Sequence, residues 1–253
     1  RLAGLAAAAP AGLVDDYRIT AWAGGDGITL GTVRALDRDA QGDIWLASDA
    51  GLVRFDGFRF AAADLVNGPI PLPAAPTHAL HIARDGSLWV AYVNGLGVYR
   101  LVNGRVVDIY LQGQITGSVW VIAEDRAGDI WVGADDGLRR WHAGTWSRVT
   151  LPVTGTEPGT LDLHEDRSGR LWVGTQAGLF VRDPGGAFRA YPGIEGITHS
   201  ISEDASGTIW VTDQEVGFRR VDATPAPRAA AQGMTVFHDR TGSLWVATIG
   251  KGL

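Results

Sequence analysis

The chain has 253 residues, a 45% hydrophobic share and a net charge of −6, enough for a folded domain with a large core and against a basic nucleic-acid surface. It has no Cys, which excludes disulfides and thiolate metal sites, and 35 Gly, which points to many tight turns. No apolar stretch is long enough to span a bilayer.

Residues 1–16 begin Arg1-Leu2-Ala3-Gly4-Leu5 and continue Ala-rich to Pro10. They read as the end of a secretory signal with Ala9-Pro10-Ala11 at its cleavage site, or as an Ala-rich linker. From residue 17 to 253 one motif recurs, Gly-x-[Ile/Leu]-Trp. It stands at Gly42–Trp45, Gly86–Trp89, Gly128–Trp131, Gly169–Trp172, Gly207–Trp210 and Gly242–Trp245, with Trp-to-Trp intervals of 44, 42, 41, 38 and 35 residues. A period near 40 suits a four-stranded propeller blade.

Each copy has the same expected strands. An extended segment such as Val119–Ala123 leads into a turn. In five copies Asp stands three residues before the motif Gly (Asp39, Asp125, Asp166, Asp204 and Asp239). Asp at the first position and Gly at the fourth suit a type I turn closed by a left-handed residue. The second copy reads as one residue shorter, with Asp85-Gly86 as a two-residue hairpin. An apolar run follows, as in Ile130–Gly133, and suits a strand buried on both faces. Two further short strands complete the unit. The expected fold class is therefore all-β: a propeller of about six four-stranded blades, with Trp45, Trp89, Trp131, Trp172, Trp210 and Trp245 as buried structural anchors.

The copy Glu165-Asp166-Arg167-Ser168-Gly169-Arg170-Leu171-Trp172-Val173-Gly174-Thr175-Gln176-Ala177-Gly178-Leu179 resembles the two-component regulator propeller repeat throughout, and Tyr17–Ile28 looks like that family's opening strand and turn. The copy at Trp210 departs from the pattern at Thr212-Asp213. The resemblance implies the ligand-sensing propeller of a bacterial receptor, a hybrid histidine kinase or diguanylate cyclase, on the periplasmic or extracellular face of the inner membrane. It implies a seven-bladed ring of which one copy is lacking here, so that the ends leave an open ring, with Tyr17–Trp22 available as an outer strand. Attachment to the membrane would run through a segment beyond Leu253, and a receptor dimer is a further expectation. A propeller lyase of the streptogramin lyase type and a protein-interaction scaffold are the competing readings.

Candidate chemistry is sparse. His78, His81, His142, His164, His199 and His238 share no repeat position, and His78-x-x-His81 lacks a third ligand, so no metal or cofactor is expected. His164-Glu165-Asp166 coincides with a turn. No phosphate-binding glycine loop and no Gly-x-Ser-x-Gly nucleophile is present, and the chain is expected to be non-catalytic. Trp22, Trp120, Trp141 and Trp146 lie outside the motif and are expected between blades, with stacking on a sugar ring or other planar ligand as the alternative. The loops joining second to third strands vary while the Trp motif stays fixed, as expected for an asymmetric site on a repeated scaffold. They carry Ser48, Asp49, Tyr92, Asn94, Asp135, Asp136, Thr175, Gln176, Asp213, Gln214 and Glu215. Of these, Tyr92, Asn94, Asp135, Asp136, Gln176, Asp213, Gln214 and Glu215 are the candidate contacts for a small molecule or oligosaccharide.

Overall fold

Each copy of the repeat folds as one antiparallel sheet, in a computed structural model that describes residues 28–63, 70–213, 217–222, 233–238 and 244–248. Blade 1 is β1 (Val33–Arg38), β2 (Ile44–Ser48), β3 (Gly51–Phe55) and β4 (Phe60–Ala62). Blade 2 is β5 (Thr77–Ile82), β6 (Leu88–Tyr92), β7 (Val98–Val102) and β8 (Arg105–Tyr110). Blade 3 is β9 (Val119–Glu124), β10 (Ile130–Ala134), β11 (Gly137–His142) and β12 (Thr145–Val149). Blade 4 is β13 (Thr160–Glu165), β14 (Leu171–Thr175), β15 (Gly178–Arg182) and β16 (Phe188–Ala190). Blade 5 contributes β17 (Thr198–Glu203), β18 (Ile209–Asp213) and β19 (Gly217–Arg220), and blade 6 β20 (Gly233–His238) and β21 (Leu244–Thr248). In every sheet consecutive strands pair, and no helix occurs among the described residues. The first strands pack on one another in chain order, β1–β5–β9–β13–β17–β20, and so line the channel of a β-propeller.

The turn between first and second strands is built from one carboxylate. Gly42 N–H donates to Asp39 O (3.0 Å), and Asp39 N–H to Asp43 O (3.0 Å). Gly42 has φ +97°, a conformation that disfavours a side chain. The Asp39 side chain accepts the N–H of Gln41 and Asp43, and its second oxygen accepts the indole N–H of Trp45 at 2.9 Å. Asp125 binds Trp131, Asp166 binds Trp172 and Asp204 binds Trp210 in the same way, at 2.9, 2.8 and 2.8 Å. Burial opposes the charge of Asp166, but Ser168, Trp172 and Arg170 hold its carboxyl down to about 2. Asp239 lies outside the described residues.

Blade 2 corrects the expectation of a shorter turn. Gly86 N–H donates to Ala83 O (2.8 Å) and Ala83 N–H to Ser87 O (2.9 Å), the bonds made at every other described turn. The turn has full length, with Ala83 in the Asp place. Asp85 accepts the Ser87 hydroxyl (2.6 Å), and Ser87 Oγ takes the Trp89 indole N–H (3.0 Å). A serine relay thus replaces the missing carboxylate.

Blades adhere through apolar faces and polar ties. Trp89, Trp131 and Trp172 are each 1% exposed, and Trp45, Trp210 and Trp245 are half-buried. Trp131 packs on Leu163, Leu171 and Phe180 of blade 4, and Trp89 on Ile122, Ile130 and Trp141 of blade 3. As expected, Trp141 and Trp146 pack between blades, against Trp89 and Tyr110. The Gly of the Trp-Val-Gly run is needed for close approach: a Cβ on Gly133 would lie 2.6 Å from Thr160 Cγ2 of the next blade. An Arg–Glu clasp also recurs. The backbone N–H of Arg84 donates to Glu124 (2.8 Å), and its guanidinium to the carbonyls of Asp125 and Arg126. Arg126 repeats this on Glu165, Asp166 and Arg167, and Arg167 on Glu203 and Ala205.

The arc is open among the described residues. β1 and β20 make no packing like that between successive first strands. Leu36 of β1 is 68% exposed, whereas Leu80, Ile122, Leu163, Ile201 and Val236 in the same register are buried against the preceding blade. The expected strand Tyr17–Trp22 and the segment Lys251–Leu253 lie outside the described residues.

Two substitutions test this arrangement by chemical denaturation. Trp131→Ala is expected to lower the unfolding free energy by about 3–5 kcal/mol, since it empties a closed inter-blade site. Asp125→Ala is expected to cost about 1–3 kcal/mol, because it leaves the Trp131 indole and two turn amides without an acceptor. A loss well under 1 kcal/mol in either variant would remove the role assigned to the pair.

Candidate functional site at the channel mouth

The first strand of every blade carries a β-bulge at one place. Pairing skips one residue between Val33 and Ala35, Thr77 and Ala79, Val119 and Val121, Thr160 and Asp162, Thr198 and Ser200, and Gly233 and Thr235. The extra residues are Arg34, His78, Trp120, Leu161, His199 and Met234, each eleven positions before its motif Trp. A bulge releases its residue from the ladder and re-aims the side chain. Because first strands are innermost, these residues sit where the channel opens beside the second-to-third-strand hairpins. Asp49 N–H bonds to Thr32 O, and Asp135 N–H to Ser118 O, which binds each hairpin to the entry of its own first strand.

Blades 1 to 3 bring a polar, aromatic cluster together here. Arg34 Nη1 donates to Asp49 Oδ1 at 2.5 Å, and Thr32 N–H donates to Asp49 Oδ2 at 2.8 Å. The Thr32 amide, then Arg34, lowers the exposed Asp49 carboxyl to about 2. The His78 ring meets the edge of Trp120 across the blade boundary, with centroids 4.5 Å apart. His78 Nδ1 lies 2.9 Å from Val119 O, so this nitrogen carries the proton and Nε2 stays an acceptor. Trp120 is 42% exposed and donates its indole N–H to Asp135 Oδ1 at 2.6 Å, while Ser118 N–H holds the other oxygen. Arg34, Asp135 and Asp49 all act electrostatically on His78. Burial depresses the pKa of His78 against the pull of the Val119 carbonyl, and burial alone depresses that of His199. The mouth therefore offers an exposed indole, two neutral imidazoles, a guanidinium and two carboxylates.

The residues expected from the loops distribute unevenly. Asp135 and Asp49 belong to this cluster. Asp136 is taken up locally: Arg139 donates to both its oxygens at 2.7 Å, and burial notwithstanding, that pair holds its carboxyl below the usual range. Tyr92 is buried between blades 1 and 2, edge-on to Tyr99 at 5.0 Å, and burial pushes its phenol above the ordinary value. Asn94 is exposed at φ +57° in its hairpin, and Gln176 is exposed with its N–H on Gly159 O. Ser48 and Thr175 are buried and close their hairpins through their hydroxyls, on Gly51 O and Gly178 O. Asp213 ends β18 opposite Thr198, while Gln214 and Glu215 lie outside the described residues. Trp120, expected between blades, stands at the mouth. His78 and His81 diverge across the bulge, with His81 directed at Asp37 and Glu124. His164 faces Glu203, and Glu165 and Asp166 serve the clasp and the turn. Sequence reasoning missed Arg34, His78, Trp120 and His199 as a set, although their common offset from the motif Trp aligns them in one column.

Comparison with known proteins places the repeat. Residues 113–136 match the two component regulator propeller family, which bears out the resemblance drawn from Glu165–Leu179. No curated protein matches the chain. Among solved structures it is similar to the extracellular domain of a hybrid two component system from B. thetaiotaomicron (TM-score 0.59, 19% identity), covering 90% of this chain and 38% of that one. It is also similar to a catalytically inactive histidine-to-alanine variant of virginiamycin B lyase from Staphylococcus aureus with quinupristin. There the TM-score is 0.66 and the identity 15%, covering 85% of this chain and 77% of that one. PorZ, a bacterial surface component of the type-IX secretion system of Porphyromonas gingivalis, shares the fold at TM-score 0.59 and 15% identity, with 86% and 39% covered. The chain thus spans about two fifths of the length of the two component ectodomain.

The depressed imidazole pKa values fix the sign of one pH effect. In the unfolded chain His78 and His199 protonate at the ordinary value, and in the folded chain only at lower pH. Their contribution to stability is full above the ordinary histidine range and is lost as pH falls through it. On acidification from about pH 7.5 to about pH 5.5, wild type is expected to lose more unfolding free energy than the His78→Asn/His199→Asn variant. Equal losses in denaturation midpoints would contradict the assignment.

Proposed function

We propose that this chain is the ligand-binding propeller of an extracytoplasmic signalling receptor, with its site at the bulge-lined channel mouth. One observation carries this reading. Six blades repeat one scaffold, yet the bulge position holds Arg34, His78, Trp120, Leu161, His199 and Met234, five residue types at one backbone geometry. A site of this kind needs asymmetry only where ligand is read. The exposed indole of Trp120, anchored through its N–H by Asp135, presents a rigid face to a sugar ring or other planar group. Neighbouring Asp49, Arg34 and His78 supply hydrogen bonds around it. A small molecule or oligosaccharide is the ligand class that fits this mixture. The family match and the fold shared with a two component ectodomain support a signalling context and a place outside the cytoplasm. Membrane attachment, dimerisation and a kinase or cyclase output would belong to other parts of a longer receptor.

A second reading has one observation in its favour. His78 and His199 are neutral, partly buried imidazoles at the mouth, and a structurally similar lyase is catalytically inactive when a histidine becomes alanine. In that reading a bulge histidine would act as general acid or base. We favour binding without turnover, because His78 spends one nitrogen on the Val119 carbonyl and Asp135 spends its oxygens on Trp120 and Ser118.

Calorimetric titration with a panel of neutral and acidic oligosaccharides, followed in parallel by indole fluorescence, tests the proposal. A ligand found this way should bind Trp120→Ala at least about tenfold more weakly, a loss of about 1.4 kcal/mol, with the melting temperature unchanged. An unaltered affinity would move the site away from the mouth. Turnover of quinupristin by the purified protein, lost in His78→Ala or His199→Ala, would establish the lyase reading instead.

A further inference from the structure

The Arg–Glu clasp is absent where blade 1 meets blade 2 and again where blade 5 meets blade 6, whose Arg and Glu places hold Ala205 and His238; at the latter the His238 ring centroid lies 5.8 Å from that of Trp210. Where blade 2 meets blade 3, blade 3 meets blade 4 and blade 4 meets blade 5, the residue after the turn's first position is Arg84, Arg126 or Arg167. Its guanidinium lies on backbone carbonyls of the next turn, beside a Glu of the next first strand. In blade 1 the residue at that place is Ala40, and in blade 2 the residue in the Glu place is Ile82. Both halves of the pair are missing together. The turn that would receive the guanidinium is nevertheless intact, since Ala83 and Gly86 make the same backbone bonds as their equivalents.

A cleft of about 430 Å³ occupies this junction, lined by Asp39, Ala40, Trp45, Ile82, Asp85 and Leu88 among others. A cleft of similar volume, about 420 Å³, lies at the clasped junction of blades 2 and 3, so what sets the blade 1–2 cleft apart is its wall rather than its size. Trp89 and Trp131 carry a guanidinium over the ring, from Arg100 and from Arg140 and Arg182, and Trp172 carries Arg170. Among the described residues no guanidinium or aromatic ring stacks on Trp45, which is half-buried. Arg54, its cross-strand partner, pairs instead with Asp43.

We infer that the cleft between blades 1 and 2 is a binding site for a guanidinium-bearing ligand, which takes the place of the absent clasp arginine. The carbonyls of Ala83 and Arg84 stand where those of Asp125 and Arg126 receive Arg84, and the Trp45 face adds a cation–π surface, while Asp85 at the rim is already paired with Arg100 at 2.8 Å. A planar fork of donors matches this set and an ammonium does not. Ile82 and Leu88 accept an alkyl chain. The site lies at the turn end of the blades, opposite the channel mouth, and is independent of the ligand proposed there.

The test uses Nα-acetyl-arginine amide and Nα-acetyl-lysine amide as probes, with free L-arginine and an arginine-containing tripeptide as further arms. Indole N–H resonances are followed by NMR. Titration with the arginine amide is expected to shift the Trp45 indole signal and leave those of Trp131 and Trp172 in place, with the lysine amide binding at least about tenfold more weakly. A preference for the tripeptide over free L-arginine would identify a peptide side chain as the source. Ala40→Arg/Ile82→Glu installs the missing clasp and should abolish the shift while raising the melting temperature. No Trp45 shift at millimolar probe, equal binding of the two amides, or undiminished binding in the folded double variant would each overturn the proposal. Should the double variant not fold, the probe selectivity and the Trp45 shift in wild type decide it.

Discussion

The carboxylate of the turn aspartate is the group on which the rest of the architecture depends. One oxygen gathers the amides of its own turn, and the other accepts an indole N–H from the strand that follows. A tryptophan brings a large apolar area to a blade interface, but its N–H would be costly there without a partner. The turn supplies that partner from inside the repeat. Hairpin closure and inter-blade packing are thereby coupled, and each copy can offer a finished hydrophobic face to its neighbour. Blade 2 shows that the requirement is an acceptor at this point rather than an aspartate: Ser87, itself fixed by Asp85, serves the Trp89 indole.

With that unit repeated, variation is free to collect where the scaffold does not need the side chain. The bulge residue is one such place, since it sits outside the cross-strand ladder and its identity leaves the pairing intact. The position after the turn aspartate is another. Filled by arginine it ties two blades, and filled by alanine, as at Ala40 and Ala205, it leaves the tie out. The two candidate sites are consequently at opposite ends of the sheets and have different chemistry. The mouth is aromatic and mixed in charge, and the cleft is a carbonyl cradle over an indole face. One departs from the repeat by diversity, the other by omission.

The strands, the turn type and the blade count along the described residues were legible from the spacing of Gly and Trp, because a period of about 40 with a fixed Gly-to-Trp offset has one economical folded form. The turn bonds also followed from residue type, except at Ala83. There the missing aspartate displaced the apparent turn onto Asp85-Gly86, and only the offset of Trp89 from Ala83 would have revealed the true register. The Asp–indole bond is not legible in the sequence, as carboxylate and indole stand six residues apart and meet only when the hairpin closes. The variable hairpin residues share a position in the repeat, and the fold divides them. Asp135 turned to Trp120, Asp136 to Arg139, and Tyr92 into the core.

By itself the sequence determined the all-β class, the repeat and the anchoring tryptophans, since these rest on local chemistry and on periodicity that adjacent residues report. Tertiary structure alone decided which side chains meet. His78 touches Trp120 and Arg84 reaches Asp125 across some forty positions, and these contacts exist because successive blades are set face to face around one axis. The pleat and the bulge choose the face on which each residue emerges. A bulge is a register shift between two strands, a property of the pair that neither strand carries in its own residues.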